Sequence, residues 1–254
     1  MIKQFSEIMA EKELDLIMEA AGTAPTENNS PPLEYREFPT RAAFEKCREA
    51  FFKTARGRGL EIEPEAAWQH AAFIFSQWAA WKKGPENGRI YPRPKVGALF
   101  YGPCGAGKSA LADFLRDSIK QIAKIEIRRI NTAALIDKYN RGELQEYEAR
   151  GFSDADIYLD DLGYETAGKR YGEKWGLDDF LKFRYEFAFR RYGRYTFATT
   201  NLNGLAEIEQ RYGVHVASRC AEMFDLIKLV GKDRRSEIAE KRSERLRSFL
   251  GGEL

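Results

Sequence analysis

The stretch Val96-Gly-Ala-Leu-Phe-Tyr-Gly-Pro-Cys-Gly-Ala-Gly-Lys-Ser-Ala-Leu111 decides how the rest of the chain is read. Residues 102–109 fit the phosphate-loop pattern Gly-x-x-x-x-Gly-Lys-Ser/Thr. An apolar run able to form a buried strand precedes them and a helical pattern follows. That context matters because the pattern works by geometry. Glycines at 102, 105 and 107 let the backbone curl around a triphosphate without Cβ clashes. The turned-in N–H groups and the helix N-terminus then supply anion-binding donors. Lys108 would reach the β- and γ-phosphates, and the Ser109 hydroxyl would complete a Mg²⁺ shell. Gly102, Pro103, Cys104, Gly105, Ala106, Gly107, Lys108, Ser109 and Ala110 are thus the candidate cradle of a nucleoside triphosphate. The alternative is an ordinary glycine turn.

Outward from this loop the pattern alternates. Strands are predicted at residues 96–101, 124–130, 156–159, 195–199 and 224–230. Helical stretches are predicted at 108–121, 131–147, 174–191, 205–223 and 235–249. Strands and helices of these lengths predict a parallel sheet covered on both faces, with the loop at the carboxyl end of the first strand. Upstream, helices are expected at 40–57 and 65–83, the second carrying Trp68, Phe75 and Trp78 at helical spacing. Those aromatics read as core rather than as a base-stacking platform. Residues 2–21 read as an acidic amphipathic helix, either a docking element or a helix packed on its own domain. Residues 22–32 read as a breaker-rich linker.

Two further constellations sit at strand ends. Asp156-Ile-Tyr-Leu-Asp-Asp-Leu-Gly163 is a short apolar run ending in two carboxylates. Asp160 can hold Mg²⁺ opposite Ser109. Asp161, one residue on, points elsewhere and can orient or deprotonate an attacking water. Thr199-Thr200-Asn201 ends another apolar strand. Asn201 there can hydrogen-bond the attacking water or the γ-phosphate, or cap the following helix.

Composition excludes little and agrees with this. The chain has 254 residues, 41 Lys and Arg against 39 Asp and Glu, and a net charge of +2, which dictates no partner. Its 3 cysteines are far apart and suggest neither a disulfide framework nor a zinc site. No apolar run reaches membrane-spanning length, and the N-terminus lacks a signal-peptide core. The expectation is a soluble cytoplasmic protein with no membrane contact.

The loop, the Asp-Asp strand, the Thr-Thr-Asn strand, Arg211-Tyr-Gly-Val-His-Val-Ala-Ser-Arg-Cys220 and Gly231-Lys-Asp-Arg-Arg235 together resemble the AAA+ ATPases of the DnaC type. These are loaders of the replicative helicase, with the IstB-type transposition ATPases as relatives. The resemblance covers about residues 95–235. It implies a P-loop NTPase fold of AAA+ (ASCE) type: a central five-stranded parallel sheet flanked by helices, a short C-terminal helical lid and a small α-helical N-terminal extension. The implied domains are an acidic helix and linker at 1–33, a helical connector at 34–62 and an ATPase domain at 63–254, with 232–254 as a reduced lid. Residues 102–109 become Walker A, Asp160 and Asp161 Walker B, and Asn201 sensor 1. Arg219 matches the arginine finger that reaches the γ-phosphate bound by the next subunit, and Arg234 or Arg235 the sensor 2 arginine.

By the residues alone, a planar, always-charged donor suits a developing phosphate charge, with a surface ion pair as the alternative for Arg219, and His215 reads as structural. AAA+ proteins usually carry Glu where Asp161 stands, so slow hydrolysis is expected. The implied cofactors are ATP and Mg²⁺. The implied partners are a replicative helicase, single-stranded DNA and further copies of the chain meeting at the ATP site. Candidate DNA contacts are Gly168-Lys-Arg-Tyr-Gly-Glu-Lys-Trp175 and Lys138-Tyr-Asn-Arg141, where cations interleave with aromatics. The final helix mixes Lys241, Arg242, Arg245 and Arg247 with Glu237, Glu240 and Glu244 and reads as an ion-pair pattern. Two alternatives remain: an IstB-type ATPase acting on duplex DNA, and a P-loop kinase of small molecules.

Overall fold

The structure, a computed structural model, describes residues 34–35, 39–62, 65–84, 89–145, 148, 150–165, 168–170, 173–231 and 233–249. The predicted helix at 2–21 and the linker at 22–32 lie outside the described residues. The chain divides into Met1–Glu34 and Tyr35–Leu254, and the second unit carries the sheet and the phosphate loop.

Five strands form the centre of that unit: β1 (Gly97–Tyr101), β2 (Ile127–Asn131), β3 (Asp156–Leu162), β4 (Thr196–Thr200) and β5 (Phe224–Lys228). They lie in the order β2-β3-β4-β1-β5, every pairing parallel. Among the described residues eight α-helices accompany them: α1 (Arg41–Gly57), α2 (Glu65–Lys83), α3 (Lys108–Ala123), α4 (Thr132–Arg141), α5 (Leu177–Phe183), α6 (Leu205–Tyr212), α7 (Val214–Met223) and α8 (Arg234–Phe249). Helix α5 continues as a π-helix, Arg184–Arg191. The expected five-stranded parallel sheet flanked by helices is what the chain adopts.

Alternation along the strands builds two cores, because successive strand side chains point to opposite faces. Ala98, Phe100, Tyr158 and Phe197 join residues of α1, α2 and α3 in one. Leu99, Ile157, Leu159 and Ala198 join residues of α5, α6 and α7 in the other. Each fully buried Leu or Phe contributes roughly 1.5–3 kcal/mol by leaving water. Phe51 of α1 packs against Phe75, Trp68 and Phe114, with ring centroids 5.3, 6.1 and 4.8 Å away. This contact fastens α1 and α2 over α3, the helix next along from the phosphate loop. Trp68 and Trp78 are buried, as the helical spacing predicts.

Several boundaries differ from the sequence pattern, each for a local reason. The helix expected at 131–147 stops at Arg141, where Gly142 turns left-handed and its N–H bonds the carbonyls of Lys138 and Tyr139. Its start is fixed by Asn131, whose side chain accepts from Ala134 N–H at 3.0 Å. The helix expected at 174–191 begins only at Leu177, because Glu173–Trp175 pairs antiparallel with Gly168–Arg170. The helical stretch at 205–223 divides at Gly213 (φ 89°, ψ 160°).

Candidate functional site

The loop leaves β1 at Gly102, whose φ is 141°. A Cβ there would stand 2.1 Å from the carbonyl oxygen of Leu229, just past β5. Gly105 (φ 75°) is equally constrained, since a Cβ would meet Asp233 Oδ1 at 1.8 Å. Gly102, a fixed position of the pattern, and Gly105, a variable one, therefore let the loop lie against the strand beside β1 and against the entry to α8. Gly107 caps α3 in the left-handed region, so the α3 N-terminus and its free N–H groups open into a cavity of about 1060 Å³.

Lys108 is buried, and its ammonium donates to the carbonyls of Gly102 at 2.8 Å and Pro103 at 2.7 Å and to Asn201 Oδ1 at 2.7 Å. Burial pulls its pKa below the ordinary lysine value, against the opposing pull of Cys104 and Asp161. The fold thus joins Lys108 to the strand-end residue Asn201 across the sheet, through a direct hydrogen bond. Ser109, the next residue, donates to Asp160 Oδ1 at 3.2 Å.

The two carboxylates diverge because the backbone turns between them. Asp160 follows the strand, while Asp161 adopts φ 60° where the β3–β4 register shifts between Leu159 and Leu162. Aspartate visits this left-handed conformation more readily than most residues. Thr199 on β4 accepts from Asp161 N–H at 3.1 Å and donates to Asp160 Oδ1 at 2.9 Å, bracing both. Asp160 is only 4 % exposed. Burial pushes its pKa up, but hydrogen bonds from Arg129, Tyr158 and Thr199 outweigh this and hold it below the usual carboxylate value. Asp161 faces the cavity, and burial together with the charge of Asp160 raises its pKa.

Hard oxygen donors from Ser109 and Asp160, one of them an ionised carboxylate, are the set that Mg²⁺ takes beside substrate phosphates. Cys104, Gly105, Gly107, Lys108, Ser109, Ala110, Asp161, Asn201 and Arg235 all line the cavity. Arg235 N–H donates to Asp233 Oδ1 at 2.9 Å, and its guanidinium lies 3.5 Å from Cys104 Sγ. Asp160, behind Ser109, is not itself a lining residue.

Arg219 is elsewhere. It pairs with Glu186 at 2.9 Å and covers the Tyr185 ring at 5.4 Å, and it does not line the cavity. His215 is exposed on α7 and does not line it either. Lys138 pairs with Glu148 and Arg141 with Asp137, each at 2.7 Å. The helix carrying them, α4, lies against Gly168–Arg170, so the two cation–aromatic segments adjoin.

Several contributors escape sequence reasoning. Arg129 on the edge strand β2 bonds Asp160 Oδ2 at 2.5 Å and Asp113 at 3.0 Å. Tyr158, beside Arg129 in register, donates to Asp160 Oδ1 at 2.7 Å. Alternation is their one signal: Tyr158 shares a face with Asp160, two residues on. Trp68, whose spacing marks it as core, also lines the cavity. Lys241, Arg242 and Arg245 of α8, expected in an ion-pair pattern, line it too.

No family model matches the chain, and no curated protein matches it. Among solved structures the chain is similar to the crystal structure of the DnaC helicase loader, with 22 % identity, 65 % of this chain and 90 % of that one covered, and a TM-score of 0.46. It is similar to that of the DnaI, with 16 % identity, 79 % and 96 % covered, and a TM-score of 0.49. It is also similar to AMPPCP-bound DnaA from Aquifex aeolicus, with 16 % identity, 73 % of this chain and 53 % of that one covered, and a TM-score of 0.43.

Proposed function

We propose that the chain is an ATPase of the AAA+ type that acts in DNA replication as a loader of the replicative helicase. The observation that carries the ATPase reading is the convergence of Lys108 and Ser109 from the α3 N-terminus with Asp160, Asp161 and Asn201 from the carboxyl ends of the adjacent parallel strands β3 and β4. The triphosphate of ATP lies on the loop N–H groups, and Lys108 exchanges the Gly102 and Pro103 carbonyls for phosphate oxygens. Ser109 and Asp160 would hold Mg²⁺, which would offset negative charge on the phosphates.

Asp161 orients a water against the γ-phosphorus, opposite the bond to the β–γ bridging oxygen. As the water oxygen bonds phosphorus that bond breaks, ADP departs, and the water proton passes to Asp161. Asn201 keeps the γ-phosphate end in register. A raised Asp161 pKa makes it a better proton acceptor than an ordinary aspartate.

Arg219, away from the cavity of its own chain, is assigned to the site of the next subunit, and Arg235 to its own. Residues 63–254 are assigned to the ATPase domain, with 232–254 as its lid, 34–62 as connector and 1–33 as a separate element. Single-stranded DNA is assigned to the face where α4 meets Gly168–Arg170.

Phosphate release measured with single-stranded DNA, duplex DNA and a purified replicative helicase tests this. Stimulation by single strands and co-elution with the helicase are expected. Stimulation by duplex alone, with no helicase contact, would reject the loader assignment in favour of a transposition ATPase. Turnover that requires a small-molecule phosphate acceptor would reject the ATPase assignment.

A further inference from the structure

Asp160 has both carboxylate oxygens engaged. Oδ1 accepts from Tyr158, Thr199 and Ser109 at 2.7, 2.9 and 3.2 Å. Oδ2 accepts from Arg129 Nη2 at 2.5 Å, while Arg129 Nη1 donates to Asp113 Oδ2 at 3.0 Å. Asp113 stands one turn beyond Ser109 on α3. The guanidinium therefore bridges the strand and the helix that carry the two candidate metal donors. Its own side chain is 43 % exposed, against 6 % for Asp160. The carboxylate is fixed in the interior, whereas its cation reaches in from the sheet edge.

We propose that Arg129 is the resident counter-ion of Asp160 and makes divalent-cation binding conditional on nucleotide. This rests on Ser109 and Asp160 being the donors to Mg²⁺. A divalent ion approaching Oδ1 meets a carboxylate already neutralised on its other oxygen, and it is repelled by a positive charge a few ångströms away. Mg²⁺ gives up its water reluctantly, so that weakened attraction is insufficient by itself. A triphosphate on the loop adds the negative charge that reverses the balance. Asp113 gives Arg129 a second carboxylate to hold when its bond to Asp160 loosens. Arg129 is a positioning residue, acting through Asp160.

Mn²⁺ serves as the probe, its free concentration followed by electron paramagnetic resonance in titrations of the full chain. The wild type should bind Mn²⁺ only with a non-hydrolysable ATP analogue present. Arg129→Gln should bind Mn²⁺ without nucleotide, at least roughly tenfold tighter than the wild type. Arg129→Lys should restore the nucleotide requirement, and adding Asp160→Asn to Arg129→Gln should abolish the gain. Nucleotide-free Mn²⁺ binding unchanged in Arg129→Gln overturns the proposal, including where thermal stability alone falls, since that is the outcome of a purely structural tie. If Arg129→Gln does not fold, Asp113→Asn decides. It leaves Arg129 to Asp160 alone and should weaken Mn²⁺ binding in the presence of the analogue, and an unchanged affinity overturns the proposal. A wild type that binds neither analogue nor Mn²⁺ overturns the ATP assignment and this proposal with it. Normal nucleotide-dependent binding with no Arg129 effect overturns the proposal alone.

Discussion

Lys108 and Asp161 both line the cavity and carry opposite tasks. The Lys108 ammonium has three oxygen partners at 2.7–2.8 Å before any phosphate arrives. Bound phosphate must replace them, and a charge-assisted hydrogen bond to an anion is stronger than one to a carbonyl. Lys108→Ala removes the exchange. With about 1.5–3 kcal/mol per such bond, nucleotide affinity should fall by roughly tenfold to a hundredfold, measured by titration with a fluorescent ATP analogue. Asp161→Asn should leave that affinity nearly intact and lower turnover by about 10²–10⁴-fold, the usual contribution of a positioned general base. The carboxylate pair also sets opposite pH dependences of stability. Asp161 has a folded pKa above its unfolded one, so its ionisation opposes folding at neutral pH, and the penalty is relieved as pH falls through the folded pKa. Asp160 is held below its unfolded value, so its contribution is present above that value and is lost as pH falls through the folded pKa. Thermal unfolding from neutral to acid pH should show Asp161→Asn raising the midpoint at neutral pH and losing that advantage in acid. Asp160→Asn should lower the midpoint at neutral pH, with the deficit shrinking in acid.

Among the elements, the π-helical continuation of α5 has the least expected interior. Arg184 at its start is fully buried, with Nε donating to Thr196 Oγ1 at 2.7 Å and its terminal nitrogens to the carbonyls of Gly151, Phe152 and Tyr195 at 3.0, 2.8 and 2.8 Å. One side chain thereby ties the approaches to β3 and β4, the strands that deliver Asp160, Asp161 and Asn201. Arg184→Leu leaves these acceptors without their donor in the interior, at about 1–3 kcal/mol for each group left unsatisfied. A loss of several kcal/mol in denaturant unfolding is expected, against about 0.5 kcal/mol or less for an exposed arginine such as Arg191. The sheet is legible in the sequence because apolar runs and loop spacing are local properties. Lys108, Ser109, Asp160 and Asn201 declare themselves by standing at strand ends beside a glycine-rich turn. Arg184 and Arg129 do not, because an arginine in an amphipathic helix or on an edge strand has the same local pattern whether it points to water or to a buried oxygen. Only the tertiary partners distinguish the cases. The hairpin arm at Glu173–Trp175 is hidden for a related reason: its pairing with Gly168–Arg170 overrides a helix-compatible pattern.

At the scale of the whole molecule, the cavity has cations from its own chain but not Arg219, which faces Glu186 and Tyr185 instead. If Arg219 completes the site of a neighbouring copy, then the ATP-binding half and the finger half of each site belong to different chains. Arg219→Ala should then keep nucleotide affinity while turnover falls by about 10³-fold or more, the range seen when an arginine finger is withdrawn. Wild-type turnover per chain should also rise with protein concentration, as expected of a site formed by association. Mixing supplies the decisive measurement. Lys108→Ala lacks a working loop but retains Arg219, and Arg219→Ala retains the loop but lacks the finger. Each alone should be nearly inactive. In an equimolar random mixture about a quarter of head-to-tail interfaces would pair an intact loop with an intact finger, so about a quarter of wild-type turnover should return. A mixture no more active than its components would exclude action of Arg219 in trans, and full turnover by Arg219→Ala alone would leave the Glu186 ion pair as its role.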